Sequence, residues 1–327
     1  MFDLNTLEGQ LNSVRQDGDN IQYIKDPCEE VRLAAVTDRA ASIRFIPSPS
    51  LDVQMIAVCN SPRVIEYITS PSQEVQLAAV SRDPNVIKYI VNPTHETQLA
   101  AVKINGNVIG YLEHASSDIQ VAAVTQKPES IRHIKNPVLE AQLAAVSQDY
   151  ESIVYIKEPY SETQRLSVEM FGPTIQRIKN PSKELQVAAV NQYPESIQYI
   201  KNPCEEAKLA AVNKDPRTIK YMPYPSLEVQ LAAVRKNGRV TEFIKTDYAL
   251  DQEVQLEAMK ACLPMIVNED GLIKFGDFPW YSLEEVLSED TKTIGFLGHD
   301  KDVMRLFKEH VVREYKNLME KRNANGL

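Results

Sequence analysis

The feature that most constrains this chain is a unit of 22 residues that recurs without insertion. Residues 180–190 read NPSKELQVAAV, residues 202–212 read NPCEEAKLAAV and residues 224–234 read YPSLEVQLAAV. One alignment position recurs in ten successive units as Pro27, Pro49, Pro71, Pro93, Ala115, Pro137, Pro159, Pro181, Pro203 and Pro225. A fixed period of this length is typical of solenoids, in which stacked units share one continuous core. The repeat therefore predicts one solenoid, although a length of 327 residues taken alone would suggest one or two ordinary domains.

The first half of each unit predicts an α-helix. Asn or Asp precedes the proline position in five units, and we interpret the polar residue as the N-cap and the proline as part of the first turn. An acidic residue follows three positions after the proline in every unit, from Glu30 to Glu228, where the positive end of the helix dipole would stabilise it. The V-x-L-A-A-V motif that follows is apolar around most of the helix, so the helix must be covered on both flanks.

The second half of each unit predicts a short helical turn. Pro or Gly follows nine residues after the helical valine, as at Pro62, Gly106, Gly172 and Gly238. We expect proline to end the helix and glycine to adopt a left-handed cap. The segment SIQYIK at 196–201 is too short for a stable α-helix, which favours one turn of α- or 3-10 helix.

The repeat sets the predicted boundaries. Residues 1–26 form an N-terminal cap and partial repeat, residues 27–246 form ten repeats, and residues 247–327 form a degenerate repeat and a helical C-terminal cap. After Val267 the repeat is lost in a turn-rich connection that holds the only tryptophan, Trp280. Residues 300–322 predict an amphipathic helix capped by Asp300. Its apolar stripe would comprise Val303, Leu306, Phe307, His310, Val311, Leu318 and Met319.

The unit P-x-x-E-V-x-x-A-A-V-x-x-x-P-x-x-I resembles the leucine-rich repeat variant and, more distantly, HEAT repeats. The resemblance covers residues 11–246 and implies a right-handed superhelix of alternating long and short helices. The period of 22 is shorter than that family's usual unit, and glutamine stands where the family favours arginine. The repeat sequence also resembles uncharacterised repeat proteins of bacteriophages and bacteria. We therefore predict an all-α, right-handed solenoid of about ten two-helix repeats with terminal caps.

Composition and charge disfavour several classes of function. The net charge of −9 and the pI near 5.3 disfavour a broad nucleic-acid-binding surface, which needs a basic stripe. The acid at Asp3 and the lack of a long apolar run predict neither a signal peptide nor a membrane span. Four scattered cysteines favour a reduced, cytoplasmic protein, in the host cytoplasm if the source is viral. No enzyme motif or metal-ligand spacing occurs, so we predict no catalysis, no cofactor and no metal.

Three rows recur on the period. Glutamine follows the helical valine in eight of ten units and is interpreted as a bridge between the backbones of adjacent units. An aromatic row runs from Tyr23 to Phe243; its rings are interpreted as half-buried wedges between units, with stacking on a flat ligand as the alternative. A lysine row is densest over residues 135–201, where solvated charge pairing and a phosphate-binding strip both remain open.

The unit at 159–180 departs from the pattern. Arg165 takes the leucine position, and Arg177 takes the tyrosine position. Such departures are enriched at functional sites, although a shift of packing in which Leu166 fills the core would also explain them. The candidate binding residues are Arg165, Arg177, His133, Tyr155, Tyr199, Lys135, Lys157, Lys179 and Lys201.

These observations predict a non-catalytic protein that binds another protein along an elongated solenoid surface. The alternative is a binder of nucleotides or oligonucleotides that uses the tyrosine and lysine rows, which in a bacteriophage would sequester a defence signal. A second alternative, a HEAT-like DNA-processing enzyme, is disfavoured by the acidic charge.

Overall fold

The computed structural model describes residues 3–245, 250–262, 265–268, 272–275, 281–287 and 301–324. The protein is an all-α solenoid, in which a ten-residue α-helix alternates with a six-residue 3-10 helix. The chain divides into two compact units, Met1–Ser167 and Val168–Leu327. Among the described residues, the departure from helical structure is one small two-stranded sheet.

The repeat helices have the following bounds. The α-helices are α1 (Leu7–Gln16), α2 (Glu29–Asp38), α3 (Leu51–Asn60), α4 (Gln73–Arg82), α5 (His95–Ile104), α6 (Ser117–Gln126), α7 (Leu139–Gln148), α8 (Ser161–Met170), α9 (Lys183–Gln192), α10 (Glu205–Lys214), α11 (Leu227–Lys236) and α12 (Gln252–Cys262). The 3-10 helices are η1 (Gly18–Tyr23), η2 (Ala40–Phe45), η3 (Pro62–Tyr67), η4 (Pro84–Tyr89), η5 (Gly106–Tyr111), η6 (Pro128–His133), η7 (Tyr150–Tyr155), η8 (Gly172–Arg177), η9 (Pro194–Tyr199), η10 (Pro216–Tyr221) and η11 (Gly238–Phe243).

The α-helix starts two residues later than the predicted cap requires. The N-cap is the residue after the proline, as at Ser72, whose hydroxyl accepts a hydrogen bond from the backbone N–H of Val75. The predicted Asn or Asp cap is wrong, because Asp26, Asn92 and Asn180 precede the proline with φ of 50°, 57° and 50°. Asn and Asp tolerate this left-handed conformation better than other residues with a side chain, which accounts for these three residues. Asn136 and Asn202 precede the proline without a positive φ.

Tyr224 occupies the same left-handed position with φ 53°, and 64% of its surface is exposed. A bulky side chain is strained in this conformation, and an exposed ring offsets little of that strain by burial. We expect Tyr224→Asn to raise the free energy of unfolding by about 1 kcal/mol. Urea denaturation of the two proteins measures this difference. A lower stability in the variant would show that the ring makes stabilising contacts that outweigh the strain.

The short helices that begin with glycine have no room for a side chain at that position. The expected left-handed cap is wrong, because neither Gly106 nor Gly172 nor Gly238 has a positive φ in that region. A Cβ on Gly106 would lie 2.3 Å from the Ala123 carbonyl oxygen and 2.6 Å from the Ser130 hydroxyl oxygen. The chain therefore passes close to the following repeat at this position.

The core follows the V-x-L-A-A-V motif. In α4, Val75, Ala79 and Val80 are fully buried, while the first alanine of the pair, Ala78, is only partly buried. The helix packs on α3 and α5, and the core between repeats is closed by the buried isoleucine of the short helices from η1 to η10. The first-turn acids have a structural role, since hydrogen bonds from Ser72 and from its own backbone N–H lower the pKa of Glu74 below its ordinary value.

The glutamine row joins neighbouring repeats. Gln76 Nε2 donates to the Pro71 carbonyl at 3.0 Å, and Gln76 Oε1 accepts from the backbone N–H of Thr94, one repeat further, at 3.1 Å. The same two contacts are made by Gln120, Gln142 and Gln186. The predicted bridging role is confirmed in these four repeats, because each glutamine uses both its donor and its acceptor.

The C-terminal region contains more regular structure than predicted. Strands β1 (Met265–Val267) and β2 (Ile273–Phe275) pair antiparallel, with Ile266 opposite Lys274. Helices α13 (Leu283–Leu287) and α14 (Lys301–Ala324) follow, and they share a small core with the hairpin. The expected turn-rich connection is therefore wrong where it is described, and Trp280 and Asp300 lie outside the described residues.

The predicted stripe of α14 is confirmed in the first half of the helix. Val303, Phe307 and Val311 are buried, whereas Leu318 is exposed. None of the described helices combines the length and the apolar character needed to cross a membrane.

Candidate binding surface

The aromatic row lies at the surface, at the last residue of each 3-10 helix. Five tyrosine rings are exposed by 39% to 70%: Tyr23, Tyr67, Tyr111, Tyr155 and Tyr199. Four rings are partly buried, as the wedge interpretation predicts: Phe45, Tyr89, Tyr221 and Phe243. Four of the five exposed tyrosines are themselves about half-buried, as a wedge with its phenol at the surface would be, and Tyr23 alone among the five is mostly exposed. The exposed part of each ring is available to a ligand.

Cations lie over several of these rings. The Arg44 guanidinium is 4.6 Å from the centre of Phe45, and Lys88 Nζ is 5.0 Å from Tyr89 and 5.6 Å from Tyr111, one repeat further. Arg132 lies 4.8 Å from the centre of Tyr155 in the next repeat. A cation over a ring is attracted by the negative face of the ring, so these pairs hold positive charge at the surface. We call the exposed rings of the first unit and these cations the aromatic–basic row.

Four of the predicted binding residues meet in one cleft. His133, Lys135, Tyr155 and Lys157 line a cavity of about 660 Å³, together with Arg132, Asn136, Glu158 and Tyr160 among others. The cleft lies between the short helix and following turn of one repeat, η6, and those of the next, η7. Three cations and one carboxylate line it, so it is locally positive on a chain of net charge −9.

The floor of the cleft is held by Gln142, whose side chain is 1% exposed. Gln142 Nε2 donates to the Pro137 carbonyl at 3.1 Å and to the Glu158 carbonyl at 3.5 Å. Gln142 Oε1 accepts from the Tyr160 backbone N–H at 3.1 Å. One buried side chain therefore joins the two turns that form the walls, which limits how far the cleft can deform.

No family model, curated protein or solved structure matches this chain. The resemblance to the leucine-rich repeat variant and to HEAT repeats therefore remains a prediction, as does the right-handed superhelix. The site is identified from its own geometry, which consists of rings, cations and a cleft at the edge formed by the short helices.

Several lining residues of the cleft were not among the candidate binding residues, and Arg132, Glu158 and Tyr160 matter most for its chemistry. The signal for Tyr160 was available, because it stands where other repeats place the capping residue Ser72 or Ser226. Arg132 precedes the aromatic position, and the sequence gives no indication that this side chain turns towards the ring of the following repeat.

Arg165 does not enter the core. The leucine position is only partly buried in most repeats, and Arg165 is exposed on α8. Ser167 takes the fully buried alanine position, and Leu166 beside it is only partly buried. The exchange of residues therefore replaces a buried alanine with a small polar side chain, and Leu166 does not fill the core.

The remaining candidates belong to the second unit. Arg177, Lys179, Tyr199 and Lys201 are all exposed, at the ends of η8 and η9 and in the turns after them. They continue the sequence rows that form the cleft in the first unit. Their positions leave them accessible to a partner.

A second cavity, of about 680 Å³, lies in the second unit between η11, α12 and α14. Arg239, Glu242, Met259, Cys262 and Val303 are among its lining residues. Burial raises the pKa of the Cys262 thiol, which disfavours the thiolate that nucleophilic chemistry requires. Within the described part of the chain, no group of His, Cys, Asp and Glu side chains is arranged to hold a metal ion.

Proposed function

We propose that this is a non-catalytic binding protein that holds another protein along the aromatic–basic row. The observation that supports the proposal is the recurrence of exposed tyrosine rings at the spacing of the repeats, with a cation over the ring at Tyr111 and at Tyr155. Tyrosine and arginine are enriched in protein interfaces because they combine a large contact area with hydrogen-bonding groups. Repeats present such groups as one extended surface.

The charges of the row favour an acidic partner segment. Lys88 and Arg132 lie over rings of the following repeats, whereas Arg63, 5.4 Å from the centre of the Tyr89 ring, is paired with Glu66 at 3.7 Å. A cation in this position keeps N–H donors for a carboxylate, and charge-assisted hydrogen bonds are stronger than neutral ones. Electrostatic attraction also accelerates association and makes it sensitive to salt.

The test compares matched double variants in affinity capture. We expect Tyr67→Ala with Tyr111→Ala to reduce the captured partner at least tenfold, because the two rings supply contact area at the surface. The control is Leu51→Ala with Ile104→Ala, which removes side chains of similar exposure from the α-helices. Quantitative mass spectrometry of material captured from the native cells measures the difference, and a titration with the purified partner confirms it.

Equal melting temperatures for the two double variants would establish that both are folded. A partner that the tyrosine variant still captures, and that the control variant loses, would place binding on the α-helical face and refute this function.

A further inference from the structure

We propose that the cleft between residues 132 and 160 binds a nucleotide, that is, a small ligand with a flat ring and a phosphate group. The inference goes beyond protein binding and does not depend on it. The cleft volume of about 660 Å³ lies within the range of small-molecule sites, roughly 300–1,000 Å³. A ligand of this size would occupy one pair of repeats.

The cations of the cleft provide the phosphate site. Lys135 and Lys157 hold the same position in adjacent repeats, and Arg132 lines the same cavity. The Arg132 Nε donates to the Glu129 carbonyl at 3.0 Å, which fixes the guanidinium beside the cleft. Lysine and arginine donate charge-assisted hydrogen bonds to phosphate oxygens, and a fixed guanidinium loses less entropy on binding.

The tyrosines of the cleft provide the surface for a flat ring. Tyr155 and Tyr160 both line the cavity, and their residues are exposed by 39% and 50%. Aromatic side chains stack on nucleobases with little preference among bases, because every base has a π face. The cleft therefore predicts recognition of the ring and the phosphate together, with weak discrimination between bases.

The two repeats that form the cleft lack a favoured N-cap residue at the start of their α-helices. Val138 and Tyr160 occupy the capping position, where Ser72 and Ser226 accept a hydrogen bond from the helix N-terminus. Neither valine nor tyrosine is a favoured N-cap. Departures of this kind are enriched at functional sites, and Tyr160 presents its ring to the cleft instead.

The test of the phosphate site is calorimetric titration of the full chain with AMP, GMP, CMP and UMP at low salt. We expect saturable binding of one nucleotide per chain and affinities for the four that differ by only a few fold. Lys135→Gln with Lys157→Gln should weaken binding about tenfold, because two charge-assisted contacts are lost. Glu158→Gln should strengthen binding about threefold, because it removes the carboxylate that repels phosphate.

The matched control for the lysines is Lys25→Gln. Lys25 is exposed and holds the same row position, but the next repeat carries Pro47 there, so no second lysine faces it. We expect the control to bind AMP as the wild type does. Equal melting temperatures would confirm that all three variants are folded.

The test of the ring site compares Tyr155→Leu with Tyr111→Leu, both at exposed positions of the aromatic row. We expect only Tyr155→Leu to weaken AMP binding, and ribose 5-phosphate to bind the wild type at least tenfold more weakly than AMP. Ribose 5-phosphate that binds as tightly as AMP would overturn the proposal, and so would nucleotide binding that is insensitive to Lys135 and Lys157. Binding only of oligonucleotides, or only of an acidic peptide such as oligoglutamate, would also overturn it.

Discussion

Replacing Ala145 with aspartate should lower the free energy of unfolding by about 3 to 5 kcal/mol, because it places an unpaired carboxylate in a closed core. Ala145 is fully buried in α7, at the position where every other complete repeat of the first unit also places a buried alanine. Helices α6 and α7 pack directly on one another, so the larger side chain has no space without separating them. Guanidinium denaturation followed by circular dichroism measures the loss.

The control for this variant is Ser147→Asp, two residues further along the same helix at an exposed position. We expect it to change the free energy of unfolding by less than about 0.5 kcal/mol. Because repeat arrays unfold by units, hydrogen exchange should place the damage of Ala145→Asp in α6 and α7 before more distant repeats. An unchanged denaturation midpoint for Ala145→Asp would refute the packing described for the second alanine.

The regular features of the fold could be predicted because the same contacts recur every 22 residues. The α-helix, the short 3-10 helix and the glutamine bridge all follow from side chains that meet their equivalents in the next repeat. The predicted start of the α-helix was wrong because Asn-Pro can serve either as the cap itself or as a left-handed turn before the cap. The sequence does not distinguish these two roles. The hairpin of Met265 and Phe275 lacked any periodic signal, since three-residue strands are too short to show alternation.

The binding cleft was predictable only in part. The period indicates that His133 and Tyr155 share one row and that Lys135 and Lys157 share another. The distance between the aromatic row and the lysine row depends on the conformation of the turn after each short helix. The repeat period does not predict that conformation. The exposure of each ring could not be predicted from the repeat either. Tyr89 is partly buried and Tyr111 is exposed, although both hold the same position in the repeat. The residue before the ring also differs, since Lys88 precedes Tyr89 and Gly110 precedes Tyr111, where a Cβ would lie 3.2 Å from His133 Cβ.

The glutamine bridge beneath the cleft gives the second large effect. Gln142→Leu should lower the free energy of unfolding by about 2 to 3 kcal/mol, because it leaves the partly buried N–H of Tyr160 and the Pro137 carbonyl without the partner that the buried glutamine supplies. Gln98→Leu is the matched control: Gln98 is less buried, and among the described contacts it donates to the Pro93 carbonyl only. We expect this control to cost about 1 kcal/mol. Urea denaturation of the two variants measures the difference.

The two variants also separate the roles of the bridge. If Gln142 serves stability alone, Gln142→Leu weakens the fold and leaves AMP affinity unchanged at temperatures where the variant is folded. Because Gln142 joins the turns that carry Lys135 and Lys157, we expect AMP affinity to fall as well, since a looser cleft loses entropy when the ligand orders it. Gln98→Leu should leave AMP affinity unaltered, because Gln98 does not line the cleft. Equal costs for the two variants in both measurements would contradict the assignment of Gln142 as the residue that holds the cleft in shape.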